Sequence, residues 1–455
     1  METNNKSELF ERTPVPKAVF SLAIPMVIGS LVMVLYNLAD TYFVGMLNDP
    51  IQNAAVTLAA PVLLAFNAVT NLFGTGCSSM MGRALGRKDY DTVRRTSAFG
   101  FYGAVCSGLL FSLICSLFAP QLIRMLGADE LTYKATYGYL KWTVMFGSAP
   151  AILNVVMSAM VRSEGAAIHA SIGVMSGCLL NMILDPFFIL PWGLNMGAAG
   201  AGCATFLSNC VAFLYYMILL RVKRGNTFVA VSPKWFSLQK EIVMGVCAVG
   251  IPASIQNLLN VTGMTILNNF TAGFGADAVA AMGIAYKLYM IPIQVLLGCS
   301  MGIMPLISYN YGSGNYKRMK ESTFFTIALL IPTMALMTLL YHAGADILIR
   351  AFMRNETIIS YGASFLRGFC IGMPFMCLDF LSISVFQSVG NGKIALVFAI
   401  LRKIILEIPL LFILNALFPL YGLAYAQATA EIILAITASI MLMRMFRKLE
   451  HKTAN

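Results

Sequence analysis

Charge is what this chain has least of. Asp, Glu, Lys and Arg together make up 11% of its 455 residues. A soluble domain carries roughly 25%, so a globule coated in water is excluded. Its ten cysteines are scattered singly through apolar stretches, with no CxxC pair and no Cys/His cluster at metal-ligand spacing. That excludes a zinc site and a disulfide framework and leaves them as small apolar side chains. No HExxH motif, Walker A loop or DDxxD-like cluster is present, so the sequence offers no catalytic centre and calls for no cofactor; an enzyme is not expected. No small-residue cleavage site follows the first apolar run, which is therefore read as a retained helix rather than a signal peptide.

What fills the chain instead is apolar: 58% of it. A bilayer-crossing helix needs about 20 such residues. The apolar runs predict twelve spans, near 17–46, 54–81, 95–119, 136–161, 168–191, 197–221, 241–270, 277–306, 320–343, 357–387, 394–416 and 421–443. Turn residues such as Asn48-Asp49-Pro50 and Pro191-Trp192-Gly193 punctuate them. The net charge of +11 lies in the joints with few aromatics nearby, so it reads as membrane orientation and not as a nucleic-acid face. The clusters Arg83/Arg87/Lys88/Arg94/Arg95, Arg221/Lys223/Arg224/Lys234/Lys240, Lys317/Arg318/Lys320, Lys393/Arg402/Lys403 and Arg444/Arg447/Lys448 share one side. By the positive-inside rule both termini are expected in the cytoplasm of a multi-pass plasma-membrane protein.

The two halves repeat. Gly86-Arg87-Lys88-Asp89-Tyr90 matches Gly312-Ser313-Gly314-Asn315-Tyr316, and Ser163-Glu164-Gly165 matches Ser388-Val389-Gly390, at an offset near 225 residues. The expected fold is an all-α integral membrane protein, with twelve transmembrane helices in two pseudo-symmetric six-helix bundles. Residues 1–222 form the N-terminal lobe, 223–240 a cytoplasmic linker and 241–455 the C-terminal lobe. Parallel repeats around a central cavity are a transporter architecture.

Charged residues inside the membrane are functional candidates. Asp40, Asp185 and Thr205 each stand seven or eight residues from the outer end of their spans, which places them about 10–12 Å deep at a common level. Asn37 shares a helix face with Asp40, and Asn181 with Asp185. Two carboxylates in a poorly solvated site do not both ionise freely. The group can hold a proton or, with the Asn and Thr oxygens, sodium. In the other half Asp379, Glu431 and Gln427 are candidates for an acidic lining that takes a cationic substrate, or for packing. Asn154 and Asn260 join them as candidate cavity residues, as does Lys287, which reads as the only deeply placed lysine or arginine. Glu407, at i,i+4 from Lys403, predicts a salt bridge near the cytoplasmic boundary.

The segment Tyr36-Asn37-Leu38-Ala39-Asp40-Thr41-Tyr42-Phe43-Val44-Gly45 resembles the first-helix signature of the multidrug and toxic compound extrusion (MATE) family. Asn181-Met182-Ile183-Leu184-Asp185-Pro186 resembles its fifth-helix signature, and the run from Gly197 to Thr205 its sixth-helix segment. Arg162-Ser163-Glu164-Gly165 and Gly250-Ile251-Pro252 also fit. The resemblance spans nearly the whole chain and is closest to the bacterial, MepA-like branch. It implies secondary active export of organic cations and other amphipathic drugs by antiport with protons or sodium. It also implies an ion site at Asp40, Asn181, Asp185 and Thr205, which would hold any sodium; Tyr36 and Asn37 beside them are further candidates for ion coupling. Asn260 stands where some members carry an essential glutamate, which favours coupling through the N-terminal lobe. Small-molecule substrates and the lipid bilayer are the expected partners of a monomer, without nucleic acid. Two alternatives remain. One is a lipid-linked oligosaccharide flippase of the same superfamily, which would want several cavity cations. The other is a major facilitator superfamily transporter, whose loop motif Gly82-Arg83-Ala84-Leu85-Gly86-Arg87-Lys88 resembles without its aspartate.

Overall fold

A computed structural model describes residues 8–454. The chain runs as α1 (Val15–Gly45), α2 (Pro50–Gly86), α3 (Tyr90–Leu117), α4 (Glu130–Phe146 with Ser148–Ser163), α5 (Ala167–Ile189) and α6 (Ala198–Val222). After a connection seated on α3 come α7 (Lys240–Ala272), α8 (Ala276–Gly312), α9 (Tyr316–Arg350), α10 (Glu356–Ile371 with Met373–Ser388), α11 (Gly392–Ile400, Leu401–Glu407 and Ile408–Leu417) and α12 (Gly422–Ala454). Among the described residues nine unbroken helices are long and apolar enough to cross a bilayer, and the bent α4 and α10 bring the number to eleven. The twelfth expected span is α11. A wide π-type turn, Leu401–Glu407, interrupts it and carries Arg402, Lys403 and Glu407 in its middle.

The two bends have one cause. α4 and α10 both turn by 49°, at Gly147 and Gly372, positions a repeat apart. Pro150 and Pro374 follow, and each removes a backbone donor from the turn, which is how prolines kink helices. Local capping repeats as well. Asp89 starts α3 by accepting from the Thr92 amide, and Asn315 starts α9 by accepting from the Arg318 amide, both at 3.1 Å. The residue before each cap has a positive φ, 60° at Lys88 and 77° at Gly314.

Leucines such as Leu110, Leu113 and Leu117 on α3, and Leu336, Leu339 and Leu340 on α9, point outward. Bare apolar faces of that extent suit lipid and not water. The seam between the lobes pairs α1 with α8 and α2 with α7. It is tight along the half of these helices that leads to the α2–α3 joint. There a Cβ on Gly86 would stand 2.0 Å from the Tyr309 carbonyl oxygen, and one on Gly250 would stand 2.1 Å from that of Leu72. At the opposite end Gly45 and Gly283 face open space, and residues 30–43 of α1 contribute nothing to the buried core. The molecule is closed at its basic end and open at the other.

The segment before α1 straps the closed end. Phe10, 2% exposed, stacks on Tyr309 with ring centres 4.8 Å apart. Its carbonyl accepts from Arg318 Nε at 2.6 Å and Asn310 Nδ2 at 3.3 Å, while Glu11 accepts from the Tyr309 hydroxyl at 2.6 Å. Lys88, on the other lobe, reaches Glu11 at 3.8 Å. Across the seam Arg83 Nη1 donates to the Val389 carbonyl at 3.3 Å, and the Ser79 hydroxyl donates to that of Gln387. Glu164 pins the inter-lobe connection by accepting from the Phe228 and Val229 amides at 2.5 and 2.7 Å.

Candidate functional site

Inside the first lobe, α1, α2, α4, α5 and α6 enclose a cavity of about 370 Å³ whose walls include Tyr36, Asn37, Tyr139, Asn154, Asn181 and Thr205. Asp40 and Asp185 lie one helical turn beyond Tyr36 and Asn181. Asp185 is fully buried. With its amide nitrogen toward Asp185, Asn181 donates to Oδ2 at 2.9 Å, and its carbonyl accepts from the Thr205 amide at 3.0 Å and the Thr205 hydroxyl at 3.2 Å. That one side chain ties α5 to α6. Asp40 is a charge neighbour of Asp185. The Asp40 Oδ1 atom is buried and has no hydrogen-bond partner. A carboxylate oxygen out of water without a donor is stable when it carries a proton or meets a cation. A polar ladder continues from there: the Asn209 amide donates to the Thr205 carbonyl at 2.9 Å, and the Asn154 amide donates to Asn209 at 3.0 Å.

The second lobe is built differently. Its cavity, about 290 Å³, reaches from the seam into the C-terminal helices, and Asn260 and Gln427 line it. Asp379 and Glu431 do not. Both are fully buried and face Arg402, whose guanidinium stands 3.6 Å from Asp379 and 2.6 Å from Glu431 and lies 4.7 Å over the Phe380 ring. The expected acidic lining is thus replaced by an internal ion cluster. A lone buried carboxylate is too costly to keep charged, and Asp379 and Glu431 share the single positive charge of Arg402. Lys403 and Glu407 do pair, at 2.6 Å, but both are buried in α11 rather than at a membrane boundary.

Arg402 and Lys403 therefore leave the basic cluster to which the sequence assigned them. They are 4% and 8% exposed, and both line the C-terminal cavity. Lys287, expected to be the only deep cation, is exposed and lines neither cavity. One signal was available. Arg402 follows Lys393 by nine residues of almost unbroken apolar helix, or about 13 Å, too deep for a boundary residue. Arg162, Asn209 and Tyr139 also carry polar function that their positions in the sequence did not single out.

Two six-helix lobes with one polar cavity in each, closed together at one end, define a membrane transporter of the two-lobed kind. The MatE family model matches the chain twice, over residues 25–187 and 252–413. The chain is 33% identical to the multidrug export protein MepA of Staphylococcus aureus (strain MRSA252) over 438 residues, covering 95% of this chain and 94% of that protein. It is equally similar to MepA of Staphylococcus saprophyticus, over 434 residues. A solved outward-facing multidrug resistance MATE family transporter of the MOP superfamily superposes with a TM-score of 0.92 at 26% identity, covering 98% of each chain. The chain belongs to the MatE family, whose members are transporters.

Proposed function

We propose that this protein exports cationic and amphipathic drugs from the cell by antiport, driven by ions that enter through Asp40 and Asp185. The observation that carries this reading is the buried Asp40 oxygen without a donor, beside an Asp185 already held by Asn181. One carboxylate is positioned, and the other waits for a positive charge. With the Asn181 N–H toward Asp185 and its carbonyl toward Thr205, the hydrogen bonds of this side chain are made without a metal ion. That arrangement favours a proton over sodium as the coupling ion. The MepA relatives are named as multidrug exporters, which supports the substrate class. The basic joints support cytoplasmic termini, and therefore a cavity open to the outside here. The two cavities and the seam lie within one chain, which supports a monomer.

The test is ethidium efflux from cells expressing wild type, Asp40→Asn or Asp185→Asn. Efflux should fall about tenfold or more in each variant, collapse with a protonophore and ignore the removal of sodium. Undiminished efflux in both variants would remove the coupling site, and sodium dependence would change the ion.

A further inference from the structure

On the outside of the first lobe, α3 and α4 run antiparallel and leave a groove of about 520 Å³ between them, away from both cavities. Two contacts set the register of its walls. The Ser112 hydroxyl donates to the Met145 carbonyl, and the Ser148 hydroxyl donates to that of Gly108 at 3.0 Å. Ser116, one turn beyond Ser112 and in the last turn of α3, is therefore level with Lys141, and Tyr137 stands one turn above Lys141 on α4. Further down, the walls are Leu109, Leu113, Met145 and Phe146. Both leucines and Phe146 are more than half exposed, as lipid-facing side chains are. The groove is thus polar at its mouth and apolar along its length, and Lys141 is the one charge on its walls. Two arginines at the same end of the molecule have carboxylate partners: Arg350 bonds Glu356 at 2.9 Å, and Arg367 pairs with Asp346. Among the described residues no carboxylate pairs with Lys141.

We propose that this groove binds an anionic phospholipid of the leaflet away from the closed, basic end, with Lys141 as the phosphate receptor and the apolar walls below as the seat of an acyl chain. A lysine near the end of a span ordinarily runs along its own helix to water. Here the ammonium lies 5.9 Å over the Trp142 ring, which holds it at the wall of the groove. The Tyr137 hydroxyl supplies a second donor at the mouth. No Asp or Glu stands in the walls to meet an ammonium or choline group, so a headgroup of net negative charge fits better than a zwitterionic one. The site is no part of the repeated plan. Tyr137-Gly138 matches Tyr361-Gly362, which sets the fully buried Phe365 at the position of Lys141. Lys141 and Phe146 bound a wide turn whose Thr143 lines the N-terminal cavity, so lipid and cavity share one wall. The site stands apart from the choice of driving ion, since it uses neither cavity.

The test uses the full-length protein with Trp192→Phe and Trp235→Phe, which leaves Trp142 as its single tryptophan. Trp142 adjoins Lys141, and its ring centre lies 5.6 Å from that of Phe146 in the groove wall. The protein is reconstituted in vesicles of phosphatidylcholine and phosphatidylglycerol, with bromine on the acyl chains of one lipid or the other. Bromine quenches an indole at contact, so the quenching of Trp142 reports which lipid occupies this groove. Phosphatidylglycerol should bind about fivefold more tightly than phosphatidylcholine, the preference that one lysine confers at an anionic headgroup. Lys141→Gln should bring that ratio to about one, and Lys141→Arg should keep it. Ser116→Asp sets a carboxylate level with an unaltered Lys141 at an exposed position, and it should abolish the preference as well. Equal binding of the two lipids before any change at Lys141 would overturn the proposal. So would a preference that survives both Lys141→Gln and Ser116→Asp, because it would then arise from basic residues elsewhere.

Discussion

Asn181 meets Asp185 and both polar groups of Thr205 at once, and Arg402 meets two carboxylates at once. These two residues decide how charge is handled in their lobes. Asn181→Ala leaves the Asp185 oxygen and the Thr205 amide without their partner, each costing about 1–3 kcal/mol. Dye efflux should fall about tenfold while the protein still folds; an unchanged efflux rate would mean that Asp185 is positioned by something else. Arg402→Met strands Asp379 and Glu431. It should cost about 3–5 kcal/mol, read as a large loss of thermal stability in detergent, and the triple change with Asp379→Asn and Glu431→Gln should recover most of it. At this scale the sequence was half legible. Asp40, Asp185, Thr205 and Asn181 could be grouped because their depth follows from counting residues along single helices. Arg402 could not be placed, because its burial depends on carboxylates that α10 and α12 bring in from 23 and 29 residues away. A lysine-arginine pair near a basic joint imitates an orientation signal. The unpaired Arg162 was hidden for the same reason: within its motif it looks like a helix-end arginine, and only the packing of the second lobe turns it inward.

The helices themselves were mostly legible, since runs of about twenty apolar residues have few other uses. What periodicity could not foresee was their interruption. Those interruptions are the short helix Ala119–Met125 between α3 and α4, the bends at Gly147 and Gly372 beside Pro150 and Pro374, and the π-type turns at Lys141–Phe146 and Leu401–Glu407. The seam was invisible too, because close approach of two backbones leaves only a glycine in the sequence. Gly86→Leu tests that seam. Its side chain would enter the space of the Tyr309 carbonyl, so α2 and α8 must part. Spin labels at Lys88 and Asn315 should move apart by several ångströms and the closed end should populate an open state; an unaltered distance distribution would show that the seam yields locally instead. The strap before α1 acts on the same equilibrium. Phe10→Ala removes a buried aromatic, a loss of about 3–5 kcal/mol in a packed core. It should shift the same spin-label distances toward opening without touching either cavity.

The whole molecule is an asymmetric pair built from a repeated plan. Backbone features recur at matching positions, while the buried charges do not: the first lobe keeps two carboxylates and no cation at its proposed coupling site, and the second pairs its carboxylates with Arg402 and Lys403, which also line its cavity. On the proposed reading, the proton taken up at Asp40 and Asp185 and the exported drug compete through the seam that the two lobes share. Purified protein in liposomes that hold a pH-sensitive dye tests this most directly. When an ethidium gradient is imposed across wild-type vesicles, ethidium movement should drive an opposite proton flux without any sodium present. In the Asp40→Asn and Asp185→Asn variants the proton flux should vanish while ethidium still binds. A proton flux that persists in both variants would contradict the assignment of coupling to the N-terminal lobe.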